Sequence, residues 1–179
     1  MRKVVLYSLL STDGVAESPD DYVFDWDDVM DANLAEVIGT QDAVLLGRCS
    51  YDEWASYWPA AEHEPFASFI NGVRKYVFTA TEPDVPWAGT TVVAEPAAKY
   101  VRDLKEQPGG DIGVHGSIRL ARSLLAADVV DELRLVIAPT VLGHGRKLFE
   151  NGDSQRRLTL TRAQATPSGA VLADYTVRH

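Results

Sequence analysis

The chain has 179 residues, 46% of them hydrophobic and 24% charged, which is close to the usual composition of a globular domain. A chain of this size buries enough surface to fold without disulfides, so we predict a single domain covering residues 1–179. The formal net charge of −9 argues against binding to nucleic acid. No apolar run approaches the roughly 20 residues of a membrane span, so we expect no membrane association either.

The first residues and the cysteine content predict a cytoplasmic protein. Arg2 and Lys3 precede an apolar run that is too short for a secretory signal. The single cysteine, Cys49, permits neither an internal disulfide nor a multi-cysteine zinc site, as is typical of a reducing compartment. We therefore expect no metal site, and we interpret Cys49 as a small core residue.

Hydrophobic periodicity predicts short strands that alternate with amphipathic helices, which is the pattern of an α/β fold. The predicted strands cover residues 3–10, 43–47, 75–79, 90–94, 111–114, 132–138, 157–164 and 170–177. The predicted helices cover residues 26–38, 64–73, 97–105 and 118–126. The early strands are wholly apolar, which is typical of a buried parallel sheet, whereas the last two alternate and predict a terminal antiparallel hairpin.

The first predicted helix begins in a strongly acidic stretch of the sequence. We place Asp25 at its N-cap and Asp28 at the capping-box position, with Gly39 ending the helix. Residues 4–47 contain no lysine or arginine. This distribution is typical of a solvated surface, and its functional interpretation is an acidic approach that disfavours phosphorylated substrates.

Ligand sites in open α/β sheets lie where strands end and helices begin, and one such junction follows residues 43–47. There Gly47 precedes the guanidinium of Arg48 and the hydroxyl of Ser50, ahead of the next helix. Together with free backbone N–H groups, these side chains suit an anion. The alternative is an exposed arginine beside an ordinary helix cap.

Two more junctions carry weaker signals. His115, Gly116, Ser117 and Ile118 lead from a strand into a helix, with Ser117 predicted as the N-cap, and this turn can hold a pyrophosphate. The stretch 79–81 offers two threonine hydroxyls to a ribose or a phosphate. The three spaced glycines of the usual dinucleotide fingerprint are absent from the sequence, which disfavours an ordinary Rossmann dehydrogenase.

Taken in order, these segments resemble the dihydrofolate reductase superfamily. The resemblance spans nearly the whole chain and is closest to the reductase domain at the C-terminus of the bifunctional riboflavin-biosynthesis deaminase/reductase. It is carried by residues 11–14 (STDG), 46–51 (LGRCSY), 58–59 (WP), 115–117 (HGS), 130–135 (VDELRL) and 139–149 (PTVLGHGRKLF). No zinc-binding deaminase motif precedes these segments, so the chain looks like a free-standing reductase domain.

The resemblance implies a fold, an activity and a cofactor. The implied fold is a three-layer α/β fold with a mixed, mostly parallel sheet of about eight strands and a C-terminal antiparallel hairpin. The implied activity is NADPH-dependent hydride transfer to a small heterocycle, either pterin- or folate-like or the ribosylaminopyrimidine of riboflavin biosynthesis. The implied cofactor-binding residues are Gly47, Arg48, Ser50, Thr79, Ala80, Thr81, His115, Gly116, Ser117 and Ile118.

Within that set, Arg48 would face the 2′-phosphate, which predicts a preference for NADPH over NADH of roughly 10- to 150-fold. The sequence departs from the family at His115, where the family has a first glycine. This bulky imidazole would either shift the pyrophosphate or point to solvent. We expect a hydrogen-bonding surface residue; the alternative is a proton donor.

The family also has a carboxylate on its first helix that holds the substrate ring and assists protonation. Here the four candidates Asp25, Asp27, Asp28 and Asp31 leave the register open. We choose Asp27 as the catalytic residue; the alternative is that all four are surface acids that complement the helix dipole. The implied substrate-binding residues are Trp26, Asp27, Gly143 and Gly145.

The sequence leaves alternatives for the substrate, the oligomeric state and the function. A phosphorylated substrate needs basic residues, which Arg146 and Lys147 could supply; otherwise a neutral or cationic heterocycle fits better. Members of the family commonly pair, and the terminal hairpin could donate an edge, so we expect a homodimer. The alternative function is a non-catalytic nucleotide- or ligand-binding module on the same fold.

Overall fold

A computed structural model describes residues 1–150 and 152–178 of the chain. Its strands are β1 Val4–Leu10, β2 Gln41–Gly47, β3 Arg74–Phe78, β4 Thr90–Val93, β5 Asp111–His115, β6 Glu132–Ile137, β7 Leu158–Ala165 and β8 Val171–Val177. Its α-helices are α1 Asp28–Gly39, α2 Arg48–Tyr57, α3 Phe66–Gly72, α4 Ala97–Lys105 and α5 Ile118–Ala126. Two short 3-10 turns cover Pro19–Asp21 and Trp58–Ala60.

All eight strands belong to one sheet, in the order β4-β3-β2-β5-β1-β6-β8-β7. The six strands from β4 to β6 in that order pair in parallel. β8 runs antiparallel to β6, and β7 runs antiparallel to β8. The predicted mixed, mostly parallel sheet with a C-terminal antiparallel hairpin is therefore confirmed.

Helices cover both faces of the sheet, which gives three layers. On one face the buried side chains of α1, α2 and α3, such as Leu34 and Ile70, pack on Val44 and Leu46 of β2. On the other face α4 and α5 pack on the alternate residues of the same strand, including Leu45. Strand β2 is thus buried on both sides, which explains its continuous apolar run. In the part of the chain described, no helix has the length and apolarity to cross a membrane.

The start of α1 differs from the prediction. The N-cap is Asp27, not Asp25, because the carboxylate oxygen Oδ1 of Asp27 accepts hydrogen bonds from the backbone N–H groups of Val29 and Met30, both at 3.0 Å. The helix consequently begins two residues later than the apolar pattern indicated. Four candidate caps stand within seven residues, and the pattern alone does not choose among them.

The parallel topology places the ends of β1, β2, β3, β5 and β6 at one carboxyl edge of the sheet. Helix α2 starts at Arg48, directly after β2, so the residues predicted to precede a helix lie in its first turn. Helix α5 starts at Ile118, shortly after β5. Since β2 and β5 are neighbours in the sheet, the two helix N-termini lie side by side at this edge.

Candidate functional site

The two neighbouring helix starts are joined by hydrogen bonds between predicted cofactor-binding residues. The backbone N–H of Gly47 donates to Oγ of Ser117 at 3.0 Å, and Oγ of Ser50 donates to the carbonyl of Gly116 at 3.3 Å. Residues that are 66 and 70 positions apart in the sequence therefore form one cluster. The structure brings these four residues together at the edge where the sequence analysis placed them.

Neither of the two helices is capped by a side chain. Ser117 occupies the N-cap position of α5 as predicted, but its hydroxyl bonds to Gly47 and not to the first turn of its own helix. The N-cap of α2 is Gly47, which has no side chain to offer. The backbone N–H groups of both first turns, together with two positive helix-dipole ends, are therefore aimed at the same place.

The turn between β5 and α5 needs its glycine for two reasons. Gly116 has φ +68°, a conformation that L side chains rarely adopt, and a Cβ atom there would lie 2.7 Å from Cζ2 of Trp54. The Trp54 ring thus packs directly against the turn. A small cavity beside the turn is lined by Leu6, Tyr7, Ser8, Ala16, Gly116, Ser117, Ile118, Ala121 and Leu148.

Arg48 forms a second cluster with the predicted stretch 79–81. Its Nε donates to both carboxylate oxygens of Asp52, at 2.9 and 2.8 Å. Its Nη1 donates to Oγ1 of Thr81 at 2.8 Å and to the carbonyl oxygens of Thr81 and Glu82 at 3.2 and 3.4 Å. Thr79 supports this loop through a hydrogen bond from its hydroxyl to the Thr81 carbonyl, at 3.2 Å. Only Ala80, which lies between the two threonines, has no polar side chain to contribute.

The expectation for His115 is wrong, because its side chain is buried and not at the surface. It is the last residue of β5, and its Nε2 lies 2.8 Å from Oε1 of Gln41. Its ring packs beside those of Tyr7 and Phe66, with centroid distances of 5.7 and 5.5 Å. Burial lowers the pKa of His115 to about 3, so the imidazole is neutral. The ring packs under α3, whose Phe66 and Phe69 lie 5.5 and 6.1 Å from it between ring centroids.

Both carboxylate oxygens of Asp27 are engaged in holding structure together. Oδ1 caps α1, and Oδ2 accepts a hydrogen bond from the backbone N–H of Ser168, in the β7–β8 connection, at 2.9 Å. Burial opposes ionisation, but hydrogen bonds from Ser168, Met30 and Thr166 outweigh it and hold the pKa of Asp27 well below its usual range. The group is ionised at neutral pH and cannot readily donate a proton. Its catalytic role stays a prediction, and these contacts favour a structural role.

The other residues near the start of α1 lie at the surface. Trp26 is 39% exposed, and its Nε1 donates to Oδ1 of Asp31 at 2.6 Å. Asp25 is exposed and lines a second small cavity beside Phe24 and Met30. The placement of Trp26 in a substrate pocket stays a prediction.

The predicted substrate-binding glycines belong to a loop that is bound to the loop after β1. The carboxylate of Asp13 accepts hydrogen bonds from the backbone N–H groups of Leu142 and Gly143, at 3.0 and 2.9 Å. A Cβ atom at Gly145, which has φ +101°, would lie 2.8 Å from Cγ1 of Val15. Asp13 thus holds the two loops together, and its signal in the sequence is an aspartate followed by glycine just after a strand.

Two further expectations about side chains are clarified. Cys49 is exposed in the first turn of α2, so its interpretation as a core residue is wrong. Arg146 is bonded through its Nε to the Glu17 carboxylate, which compensates its charge, while Lys147 is exposed. Among the residues that the structure describes, no group of histidine, cysteine, aspartate and glutamate side chains could hold a metal ion.

Solved structures share this architecture. A Shewanella sp. PV-4 protein described as belonging to riboflavin biosynthesis superposes with TM-score 0.81 at 16% identity, over 99% of both chains. The deaminase/5-amino-6-(5-phosphoribosylamino)uracil reductase of Thermotoga maritima superposes with TM-score 0.69 at 14% identity, over 99% of this chain and 57% of its own. Enterococcus faecalis dihydrofolate reductase, solved with NADP(H), has TM-score 0.66 at 14% identity, over 99% and 97%. The fold is that of dihydrofolate reductase.

Sequence comparison gives the family. The uncharacterized protein YyaP of Bacillus subtilis (strain 168) is 29% identical over 180 residues, which cover 97% of this chain and 94% of YyaP. The family model described as the RibD C-terminal domain matches residues 2–172. The chain therefore belongs to the RibD C-terminal domain family.

Proposed function

We propose that this protein is an NADPH-dependent reductase that transfers hydride to a small heterocyclic substrate. The observation that carries the proposal is the pair of uncapped helix N-termini, those of α2 and α5, joined by the hydrogen bond between Gly47 and Ser117. Backbone N–H groups and helix dipoles that converge in this way are suited to the pyrophosphate of a dinucleotide. Family membership supports the oxidoreductase class.

The chain offers groups for the phosphates of NADPH. The first turns of α2 and α5 would hold the pyrophosphate, and the hydroxyl of Ser50 lies between them. Arg48, whose side chain is 28% exposed, would bind the 2′-phosphate with the Thr81 hydroxyl beside it. The glycine at position 116 lets the backbone approach a ligand closely.

When bound, NADPH supplies the hydride, and the protein binds, orients and excludes water. Trp54 packs against the Gly116 turn, and a small, mostly apolar cavity lies beside this turn between Ser8, Ala16 and Ile118. Asp27 is ionised and fully engaged, so we assign it no step in proton transfer.

For the substrate, we favour a neutral or cationic heterocycle over a phosphorylated one. The choice is framed by two solved structures with the same fold, a 5-amino-6-(5-phosphoribosylamino)uracil reductase and a dihydrofolate reductase. Of the two basic residues named for a phosphorylated substrate, Arg146 already pairs with the carboxylate of Glu17, which leaves Lys147 of that pair. The negative charges of Asp25 and Asp31 also disfavour a phosphorylated substrate, because they repel its phosphate.

The test is a titration of the purified protein with NADPH and NADH, followed by quenching of tryptophan fluorescence. Trp54 packs against the cofactor turn and is a natural reporter. We expect NADPH to bind and Arg48→Ala to weaken it roughly tenfold or more, because a charge-assisted bond to the phosphate is lost. Arg102→Ala on α4 removes the same charge at an arginine that bonds to the Ala127 carbonyl, and it should leave binding unchanged.

If neither nucleotide binds, the reductase proposal is wrong. If NADPH binds, screening of pterins and aminopyrimidines for oxidation of NADPH at 340 nm follows. Binding without oxidation of the cofactor by any heterocycle would favour the non-catalytic module on the same fold.

A further inference from the structure

The guanidinium of Arg48 is already partnered by acidic groups. Both carboxylate oxygens of Asp52, one helical turn further along α2, accept hydrogen bonds from Nε of Arg48, at 2.9 and 2.8 Å. The carboxylate of Asp84 lies 3.9 Å from Nη2. One positive charge thus faces two negative ones, and the exposed side chain of Glu82 follows in the same loop.

We propose that Asp52 determines how strongly this protein distinguishes NADPH from NADH. The inference rests on the proposed function, because it concerns the cluster that would receive the 2′-phosphate. It assigns a specificity-determining role to a residue that does not belong to the cofactor-binding set inferred from the sequence.

A 2′-phosphate and a 2′-hydroxyl meet different electrostatics at this cluster. A phosphate that bonds to Arg48 comes close to the Asp52 carboxylate as well, so the like charges repel each other or Asp52 has to release Nε. A ribose hydroxyl is neutral and can donate a hydrogen bond to a carboxylate, which is how dinucleotide folds recognise NADH. Asp52 therefore penalises NADPH and not NADH, and it lowers the preference that Arg48 alone would create.

The hydrogen bonds of Arg48 still leave a group for the phosphate. Nε is held by Asp52, and Nη1 by Thr81 and Glu82, whereas the nearest acidic partner of Nη2 is at 3.9 Å. NADPH can consequently bind through Nη2 without the loss of every existing bond. The arrangement predicts a cofactor preference that is moderate in the natural protein and strong once the Asp52 charge is gone.

The experiment compares dissociation constants of NADPH and NADH for the natural protein, Asp52→Asn and Glu53→Gln. Asp52→Asn keeps the size of the side chain and removes its charge. Glu53→Gln removes the same charge at the next residue, about 100° around the helix. We expect Asp52→Asn to raise the ratio of NADPH to NADH affinity about two- to fivefold, as for an exposed charge pair, and Glu53→Gln to leave it unchanged.

Two further measurements locate the effect. Adenosine 2′,5′-bisphosphate and AMP carry only the adenosine half of the cofactor, so the same change in their affinity ratio places the discrimination at the 2′ position. Asp84→Asn should act in the same direction with a smaller effect, since its distance from Nη2 is longer. Circular dichroism and Tm measurements verify that each variant is folded; Asp52→Ser serves as a second variant.

The outcomes separate this inference from the proposed function. If the natural protein binds neither nucleotide, both are wrong. If nucleotides bind and Asp52→Asn leaves the ratio unchanged, or raises both affinities equally, the role of Asp52 is wrong while the reductase proposal stands.

Discussion

Asp27 and His115 are each held in one protonation state by their surroundings. Hydrogen bonds from backbone N–H groups keep the pKa of Asp27 low and the carboxylate ionised. Burial among Tyr7 and Phe66 keeps the imidazole neutral. Neither group is tuned to exchange protons near pH 7, which is what general acid–base catalysis requires.

For Asp27 we expect a loss of stability and not of cofactor binding. Asp27→Ala removes the acceptor for Val29 and Met30 and the bond from Ser168, so Tm should fall by several degrees. Asp27→Ser retains a good N-cap residue, so its Tm should fall less than that of Asp27→Ala. Both should bind NADPH like the natural protein.

The catalytic alternative for Asp27 gives the opposite pattern. Asp27→Ser would then keep most of its Tm and lose oxidation of NADPH with a heterocyclic substrate. Thermal unfolding and turnover measured on the same two variants decide between the roles.

His115 makes a prediction about acid stability. The ordinary pKa of histidine is about 6.5, and burial lowers the pKa of His115 to about 3. Between these two pH values the imidazole is protonated in the unfolded chain but neutral in the folded protein. The neutral imidazole contributes fully to the free energy of unfolding above pH 6.5, and this contribution is lost as the pH falls toward 3. Between pH 6.5 and 5 the free energy of unfolding should decrease by roughly 1 to 2 kcal/mol through this group.

The matched variant is His115→Phe, which keeps a ring among the aromatic neighbours. It leaves Oε1 of Gln41 without its partner, so its stability at pH 7 should be lower. Its urea unfolding between pH 6.5 and 5 should nevertheless depend less on pH than that of the natural protein. Equal slopes for the two proteins would contradict the assignment of a neutral, buried imidazole.

At the level of elements, two loops at the carboxyl edge behave as one unit. The loop after β1 and the loop after β6 exchange backbone hydrogen bonds, from Thr12 to Thr140, from Ala16 to Arg146 and from Leu148 to Gly14. The Asp13 carboxylate adds two more, and bonds from the Leu142 N–H, the Ser11 hydroxyl and the Gly143 N–H lower its pKa. The two loops after β1 and β6 are therefore held together by hydrogen bonds at this edge of the sheet.

Asp13→Ala should loosen the contact between the loops after β1 and β6 without unfolding the sheet. The amides of Leu142 and Gly143 lose their acceptor, so their hydrogen exchange should become at least several-fold faster. Strand amides in β1 and β6 should keep their protection. Asp20→Ala, at an exposed aspartate in the 3-10 turn, is the control and should change neither set. Unaltered exchange at both loop amides in Asp13→Ala would show that the loops hold together without it.

For the whole molecule, the sheet ends in an unusual edge. Among the described residues, strand β7 is the last strand of the sheet and pairs with β8 alone. Leu158 and Leu160 on β7 are 37% and 53% exposed, and Val171 on β8 is 40% exposed. Exposed apolar side chains on an edge strand are typical of a surface that pairs with another chain. We propose a homodimer through this edge.

Leu160→Lys should convert the dimer to a monomer, because a charge placed in the edge opposes pairing. Sedimentation velocity of the natural protein and the variant measures this directly. Val85→Lys, in the connection between β3 and β4 at the other end of the sheet, is the control and should stay dimeric. A natural protein that sediments as a monomer would rule out the proposal.

Where the pattern is local, prediction from the sequence succeeded. The bounds predicted for α4 and α5 agree with the structure, because amphipathic spacing alone defines a surface helix on a sheet. The turn at Gly116 and the predicted anion-binding residues Arg48 and Ser50 do lie together at the carboxyl edge of the sheet, since parallel strands bring their carboxyl ends together.

By itself, the sequence determined the fold class, the family resemblance and the edge of the sheet where the candidate residues meet, because apolar periodicity and short motifs carry that information. Only the tertiary structure decided which aspartate caps α1, since Asp27 is chosen by a bond to Ser168, which is 141 residues away. It also decided that His115 points inward to Gln41 and that Asp52 holds Arg48. Such choices depend on partners that come together only when the chain folds, and a local pattern does not contain them.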